Sequence, residues 1–132
     1  MKIICIGRNY SDHAEELGNA VPEEPLFFLK PDSAILPKRH AFYIPEWTDC
    51  VHYEVELIVK INRLGKAVAH KYANRYYAEV GLGIDFTARD IQTVLKSDGH
   101  PWEKSKAFDN SAIVSEFFIA LSELGGDVQN LN

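Results

Sequence analysis

Glu54 and Glu56 lie two apart in the run Val51–Ile61, which alternates apolar and polar residues so strictly that it reads as a β-strand. Residues two apart on a strand project to the same side, with Cα atoms roughly 7 Å apart. Two carboxylates on one face either stand in solvent on the outer side of a half-exposed strand or call for a counter-ion, which a hard divalent cation bound through oxygen would supply. A third acid, Asp85, closes an apolar run just ahead of a helix start at Thr87, a place where binding residues gather in sheet proteins. An acid there also suits the positive end of a helix dipole. Three oxygen donors of this kind suit magnesium or manganese, Mg2+ or Mn2+, better than zinc.

His13 and Glu16 are three apart in a short segment that Ser11-Asp12 can cap and Gly18 can stop. On a helix the two side chains can meet, so that the carboxylate orients the imidazole and raises its basicity. As a surface pair they would be structural only, whereas beside a metal they could draw a proton from water, and so short a helix can close over a ligand. Arg89 and Gln92 fall on one face of the helix after Asp85, and Lys106 follows the Pro101-Trp102 turn. Singly these are ordinary solvated side chains; sharing a site with the acids they could hold an anionic, oxygen-rich substrate.

The elements that position these groups follow from hydrophobic period and turn chemistry. Residues 2–6 read as a buried strand and 26–29 as a short apolar strand closed by the turn residues Lys30-Pro31-Asp32-Ser33. The longest strand, Val51–Ile61, places Val51, Tyr53, Val55, Leu57, Val59 and Ile61 on one face and His52, Glu54, Glu56, Ile58 and Lys60 on the other. The Ala/Tyr-rich segment 67–77 is expected to be helical, ahead of a strand over 80–86. Thr87 with Asp90 three residues on has the form of a capping box, opening a helix through Ile91, Val94 and Leu95 that Gly99 and Pro101 end. Residues 112–114 and 117–119 are expected to be extended.

The chain carries 14 Lys+Arg against 19 Asp+Glu, a formal net charge of -5 with no dense basic block, which argues against nucleic acid as a partner. Its 132 residues, 46% hydrophobic and 25% charged, have ordinary globular composition, and residues 1–132 are expected to form a single domain. Cys5 and Cys50 make neither a C-x-x-C pair nor a zinc spacing and agree with a reducing cytosol. The opening apolar run stops at Gly7, too short for a signal peptide or a membrane span, so the expectation is a soluble cytoplasmic protein with no membrane partner.

Five motifs, in this order and spacing, resemble the fumarylacetoacetate hydrolase family. They are Gly7-Arg8-Asn9-Tyr10 with Asp12-His13 and Glu16; Phe27-Phe28-Leu29-Lys30-Pro31; His52-Tyr53-Glu54-Val55-Glu56-Leu57; Asp85-Phe86-Thr87-Ala88-Arg89-Asp90-Ile91-Gln92; and Gly99-His100-Pro101-Trp102 with Lys106 and Phe108. The resemblance implies an α+β fold, mixed β with short helices, in the manner of the family's β-sandwich roll, usually as a homodimer. It implies that Glu54, Glu56 and Asp85 are ligands of Mg2+ or Mn2+, and that His13 is a general base oriented by Glu16 on a lid helix. Lys106 is implied to be catalytic, and Arg89, Gln92 and Lys30 to bind substrate.

The small single-domain members that the chain resembles hydrolyse acylpyruvates, decarboxylate oxaloacetate, or isomerise or hydrate dienoic oxo-acids. The leading expectation is therefore a metal-dependent hydrolase of acylpyruvates or related 2,4-dioxo acids, which breaks a carbon–carbon bond through an enolate and also decarboxylates oxaloacetate. An isomerase or hydratase of aromatic catabolism is the alternative. Family members continue through further strands and a Thr-Gly-Thr-Pro type loop, so the chain is expected to correspond to the front portion of a member, with an incomplete fold. A non-catalytic fragment or cation-binding subunit is a further expectation on that ground.

Overall fold

The computed structural model describes residues 2–10 and 24–125. The short helix expected around His13 and Glu16 lies outside the described residues. The chain divides into two compact units, Met1–Tyr53 with Phe86–Ala112 and Glu54–Asp85 with Ile113–Asn132. Two sheets and a few short helices make it an α+β structure, as the sequence implies.

In the first unit, β1 (Ile3–Gly7) and β2 (Leu26–Lys30) pair antiparallel, with Cys5 opposite Phe28 and Ile3 opposite Lys30. Strand alternation turns Phe28 and Lys30 inward and leaves Phe27 and Leu29 exposed. After Pro31 a 3-10 turn, Asp32–Ala34, buries Ala34, and Ile35 forms a parallel bridge to Ala112. Helix α1 (Arg89–Ser97) is followed at Gly99 by a left-handed residue, φ 68°, where a side chain would be strained. Helix α2 (Glu103–Lys106) is a single turn tied at its start, because the Trp102 carbonyl accepts from the N–H groups of Ser105 and Lys106 and from Ser105 Oγ.

Aromatic contacts brace this unit: Phe42 stacks on Phe86 at 3.8 Å, Trp47 meets Phe108 edge-on at 5.2 Å, and Phe28 and Trp102 are 6.0 Å apart. Yet among its described residues the buried apolar ones are only Phe28, Ala34, Ala88 and Ala112, whereas the largest fully buried side chains are Lys30, Thr87, Ser105 and Ser111. Hydrogen bonds therefore carry much of the interior's specificity.

The second unit is built on long strands. β3 (Val51–Ile61) and β4 (Tyr77–Ala88), each of which begins or ends in the first unit, are hydrogen-bonded neighbours, followed by β5 (Ala112–Val114). β6 (Ile119–Ala120) pairs antiparallel with β4, Glu79 opposite Ala120. Lys60 and Glu79 make an ion pair at 2.8 Å, and Ile58 packs where a Gly83 side chain would stand. Even positions of β3 therefore share a side with odd positions of β4. Phe118 covers that side, with Lys60 Nζ 5.1 Å from its ring centre and Gly81 beneath it.

Three local expectations are corrected. Over 67–77 there is no α-helix but a 3-10 turn, His70–Arg75, because Ala67 at φ 52° and Ala69 in extended backbone cannot open an α-helix there. Tyr72 is flanked instead by the cations of Lys71 and Arg75, 5.0 and 4.7 Å from its ring. β4 is longer than 80–86 and absorbs Thr87, so Ala88 is the N-cap of α1 and no side chain caps it. Among the described residues no helix is long and apolar enough to cross a membrane.

A Cβ on Gly83 would stand 2.5 Å from Ile58 Cδ1 and 2.7 Å from the Ile113 carbonyl oxygen, and backbone cannot step aside as a side-chain tip can. Gly83→Ala is expected to lower stability by about 1–3 kcal/mol, the usual range for overpacking, measured by urea unfolding.

Candidate functional site

The face shared by even β3 and odd β4 positions carries Glu54, Glu56 and Asp85. The two glutamates are half-buried and Asp85 is only 6% exposed, so the acids lie on the packed side of this sheet rather than on a solvated outer side. A buried carboxylate is costly unless a cation or hydrogen bonds compensate it, and three carboxylates are the donor chemistry of a hard divalent ion. Among the described residues, no three His, Cys, Asp or Glu side chains are drawn together closely enough to hold a metal. The donor set thus fits Mg2+ or Mn2+ in chemistry and in face, with the side chains not gathered into a shell.

In the first unit, two buried lysines meet one short stretch of chain. Lys30, 2% exposed, donates from Nζ to the Lys106 carbonyl and, at 3.0 Å each, to the carbonyl and Oγ of Ser111. Ser111 Oγ donates in turn to the Lys106 carbonyl at 2.9 Å. Lys106, 3% exposed, donates from Nζ to Thr87 Oγ1 at 2.6 Å and lies 5.3 Å from the centre of the Phe28 ring. Phe28 and Lys30, on the inward side of β2, therefore grip Lys106 at its ammonium and at its carbonyl. Lys30 Nζ thus meets acceptors on the chain itself; the resemblance counts Lys30 among the substrate-binding groups.

Arg89 and Gln92 do share a face of α1, as the spacing implies. Arg89 Nη1 donates to Gln92 Oε1 at 2.6 Å, its Nε donates to His52 Nδ1 at 3.3 Å, and its backbone N–H reaches the Cys50 carbonyl. Next to Arg89 in the chain, Asp90 accepts from Thr48 Oγ1 at 2.6 Å and from the backbone N–H groups of Asp49 and Ile91. The Thr48 hydrogen bond is the largest cause holding the Asp90 carboxyl below its ordinary value; burial opposes it and the two backbone donors reinforce it. Asp90 thus clasps the chain entering β3 to the start of the helix that carries Arg89.

His13 and Glu16 lie outside the described residues. Spacing offered Thr87 and Asp90 only as a capping pair and did not reveal their contacts to Lys106 and Thr48, or that of His52 to Arg89, because these partners are distant in sequence. Arg8 also emerges only in the structure: its backbone is left-handed at φ 57°, and its buried Nε has no hydrogen-bond partner among the described residues. Such strain collects at functional positions, and the signal for it was the Gly7-Arg8-Asn9-Tyr10 motif. Two clefts of about 480 and 520 Å3 lie elsewhere, the first lined by Trp47, Glu103, Lys104, Ala107 and Phe108 and the second by residues that include Lys30 and Pro31. Neither is lined by the acids, Arg89 or Gln92.

Two sheets with a few short helices, and acids on a packed face of one of them, define an α+β structure. More narrowly, the profile described as Fumarylacetoacetate (FAA) hydrolase C-terminal matches residues 2–132, and the chain belongs to that family. It is 43% identical over 129 residues to the oxaloacetate tautomerase YcgM of Escherichia coli (strain K12), a match covering 98% of this chain and 58% of that protein. A fumarylacetoacetate hydrolase family protein of Yersinia pestis CO92 superimposes with a TM-score of 0.87 at 39% identity, over 97% of this chain and 58% of its own. The fumarylpyruvate hydrolase of Pseudomonas aeruginosa, solved in complex with Mn2+ and pyruvate, superimposes with a TM-score of 0.83 at 35% identity, over 95% and 55%. The chain spans little more than half the length of these relatives.

Lys30→Met would remove the Lys30 ammonium's hydrogen bonds to the Lys106 carbonyl and to Ser111, while Ser111 Oγ still donates to the Lys106 carbonyl and the Phe86 N–H to the Ser111 carbonyl. A loss of about 1 kcal/mol or more is expected by urea unfolding, the usual worth of a hydrogen bond. For Asp90 the depressed pKa means a stabilising contribution fully present above the unfolded value of about 3.9 and lost as pH falls through the folded value. The stability gap between the parent chain and Asp90→Asn should therefore be constant at neutral pH and narrow only below about pH 4. Thr48→Val should raise the Asp90 pKa, as followed by carboxyl NMR titration.

Proposed function

We propose that this chain supplies catalytic residues to an enzyme acting on a 2-oxo acid with a second oxo or carboxylate function, an acylpyruvate or oxaloacetate. The observation that carries the reading is the sheet face with Glu54, Glu56 and Asp85. The tautomerase relative and the Mn2+ and pyruvate of the Pseudomonas structure support it. Glu54, Glu56 and Asp85 would hold Mg2+ or Mn2+, which supplies Lewis acidity toward the 2-oxo oxygen.

The remaining chemistry falls to the chain's own groups. Arg89, oriented by Gln92 and His52, binds a substrate carboxylate, for which a guanidinium fork is well shaped. Lys106, fixed by Thr87, steadies the negative charge that develops on oxygen as an enolate forms. With an acylpyruvate, His13 oriented by Glu16 takes a proton from water, and the hydroxide attacks the distal carbonyl. The carbon–carbon bond then breaks, its electron pair forms pyruvate enolate, and that enolate takes up a proton on carbon. With oxaloacetate the same groups serve a proton's transfer between carbon 3 and the enol oxygen, or loss of carbon dioxide to the same enolate. A homodimer is the assembly proposed for the active form.

Calorimetric titration with MnCl2, beside assays of acetylpyruvate hydrolysis, oxaloacetate tautomerisation and oxaloacetate decarboxylation in Mg2+, tests this reading. Glu54→Ala is expected to weaken Mn2+ binding at least tenfold and to abolish turnover. His13→Ala is expected to keep Mn2+ binding and to lose about 100-fold or more in hydrolysis, the usual worth of a general base. Undiminished Mn2+ affinity in Glu54→Ala would remove the ligand set. Mn2+ binding without any turnover would identify a cation-binding chain in place of a catalytic one.

A further inference from the structure

Between β3 and β4 the chain makes a loop, 62–76, whose ends meet where the Asn62 N–H donates to the Tyr76 carbonyl at 2.9 Å. Its charge is one-sided. Arg63, Lys66, Lys71 and Arg75 lie in it beside His70, with no Asp or Glu, in a chain whose formal net charge is -5. All four cations are exposed and none forms an ion pair among the described residues, whereas Lys60, just before the loop, pairs with Glu79. Lys71 and Arg75 both lie against the Tyr72 ring, 5.0 and 4.7 Å from its centre, so two like charges share one turn with no carboxylate to offset them. The loop also has a fixed interior: a Cβ on Gly65 would stand 2.6 Å from Tyr76 and 2.8 Å from Val68, so these side chains pack on its backbone. Ala67 holds a left-handed φ of 52°, a cost that persists where the surroundings impose it and that collects at contact sites. Three apolar side chains nevertheless face water, Leu64 at 102%, Val68 at 38% and Tyr72 at 40% exposure.

We infer that the 62–76 loop docks a short acidic segment of a partner polypeptide, one whose carboxylates are interleaved with aliphatic side chains. The loop contains none of the groups assigned to the oxo-acid chemistry. Charge complementarity sets the sign of the partner: carboxylates meet the exposed cations, with the Lys71 and Arg75 pair as the densest point. The apolar side chains set its kind. Leu64 and Val68 gain by leaving water against aliphatic groups, which a phosphate backbone does not offer. A nucleic acid or an anionic membrane, being extended, must also face the acidic remainder of the chain, and screening over about 8 Å at physiological salt does not hide it. A short peptide touches the loop alone.

Fluorescence anisotropy with a labelled synthetic peptide of Glu-Glu-Leu repeats, titrated with the 132-residue chain, tests this. The expected result is saturable binding that weakens as NaCl is raised. Lys71→Glu/Arg75→Glu should weaken it at least about tenfold, since like charges then face each other. Leu64→Ser should weaken it about threefold or more through lost apolar contact, and it carries the test should the charge reversal disturb folding. Lys2→Glu/Lys104→Glu, the same charge change on exposed lysines of the first unit, should bind as the parent does. Absence of saturable binding by the parent, or an equal loss in the Lys2→Glu/Lys104→Glu control, overturns the inference. So does tighter binding of single-stranded DNA or of phosphatidylserine vesicles than of the peptide. An oligomer of the chain alone that Lys71→Glu/Arg75→Glu dissolves, seen by light scattering, overturns it as well, because a second copy then occupies the loop.

Discussion

The charge on Lys30 is the constraint around which the first unit is arranged. An ammonium at 2% exposure is tolerable only when its donors are met, and here they reach the Lys106 carbonyl and the carbonyl and hydroxyl of Ser111. Those acceptors lie on the segment that follows α2, so satisfying β2's lysine fixes where that segment runs. Lys106 is thus held at its carbonyl, while its ammonium lies near the Phe28 ring and donates to Thr87 Oγ1. A unit with little buried hydrocarbon thus obtains a defined interior from polar groups that must all be paired.

The second unit works by a different rule. Its sheet is packed on the side that carries acids, under Phe118 and against glycines at 81 and 83 that let neighbours approach the backbone. Glycine at these positions trades strand propensity for room, which is useful where side chains on the neighbouring strand must be brought close. The proposed cation site would draw on this face, where Glu54 and Glu56 are half-buried and Asp85 is 6% exposed.

What could be read in the sequence was whatever depends on near neighbours. The bounds of β3 and the common side of Glu54 and Glu56 follow from strict two-residue alternation, and Arg89 meets Gln92 because helical spacing brings them together. That Asp85 shares the glutamates' side rests on how β4 lies against β3, which no local pattern contains. Which side of β3 is packed was likewise invisible, since alternation shows that two faces differ and not which one is covered. Thr87 carried a plausible capping signature, yet strand pairing extended through it and its hydroxyl went to Lys106. The Ala/Tyr-rich segment has adequate helix propensity, and Ala67's left-handed backbone defeats it. Lys30 reads as the first residue of a turn and ends β2 instead, with its acceptors far along the chain.

That distance bears on how the molecule assembles. The Lys30 contacts join residues separated by 76 and 81 positions, more than half of the 132-residue chain. Contacts between residues so far apart in sequence raise the contact order of this unit, and loops that long must close before the lysine gains these acceptors, which favours slower folding.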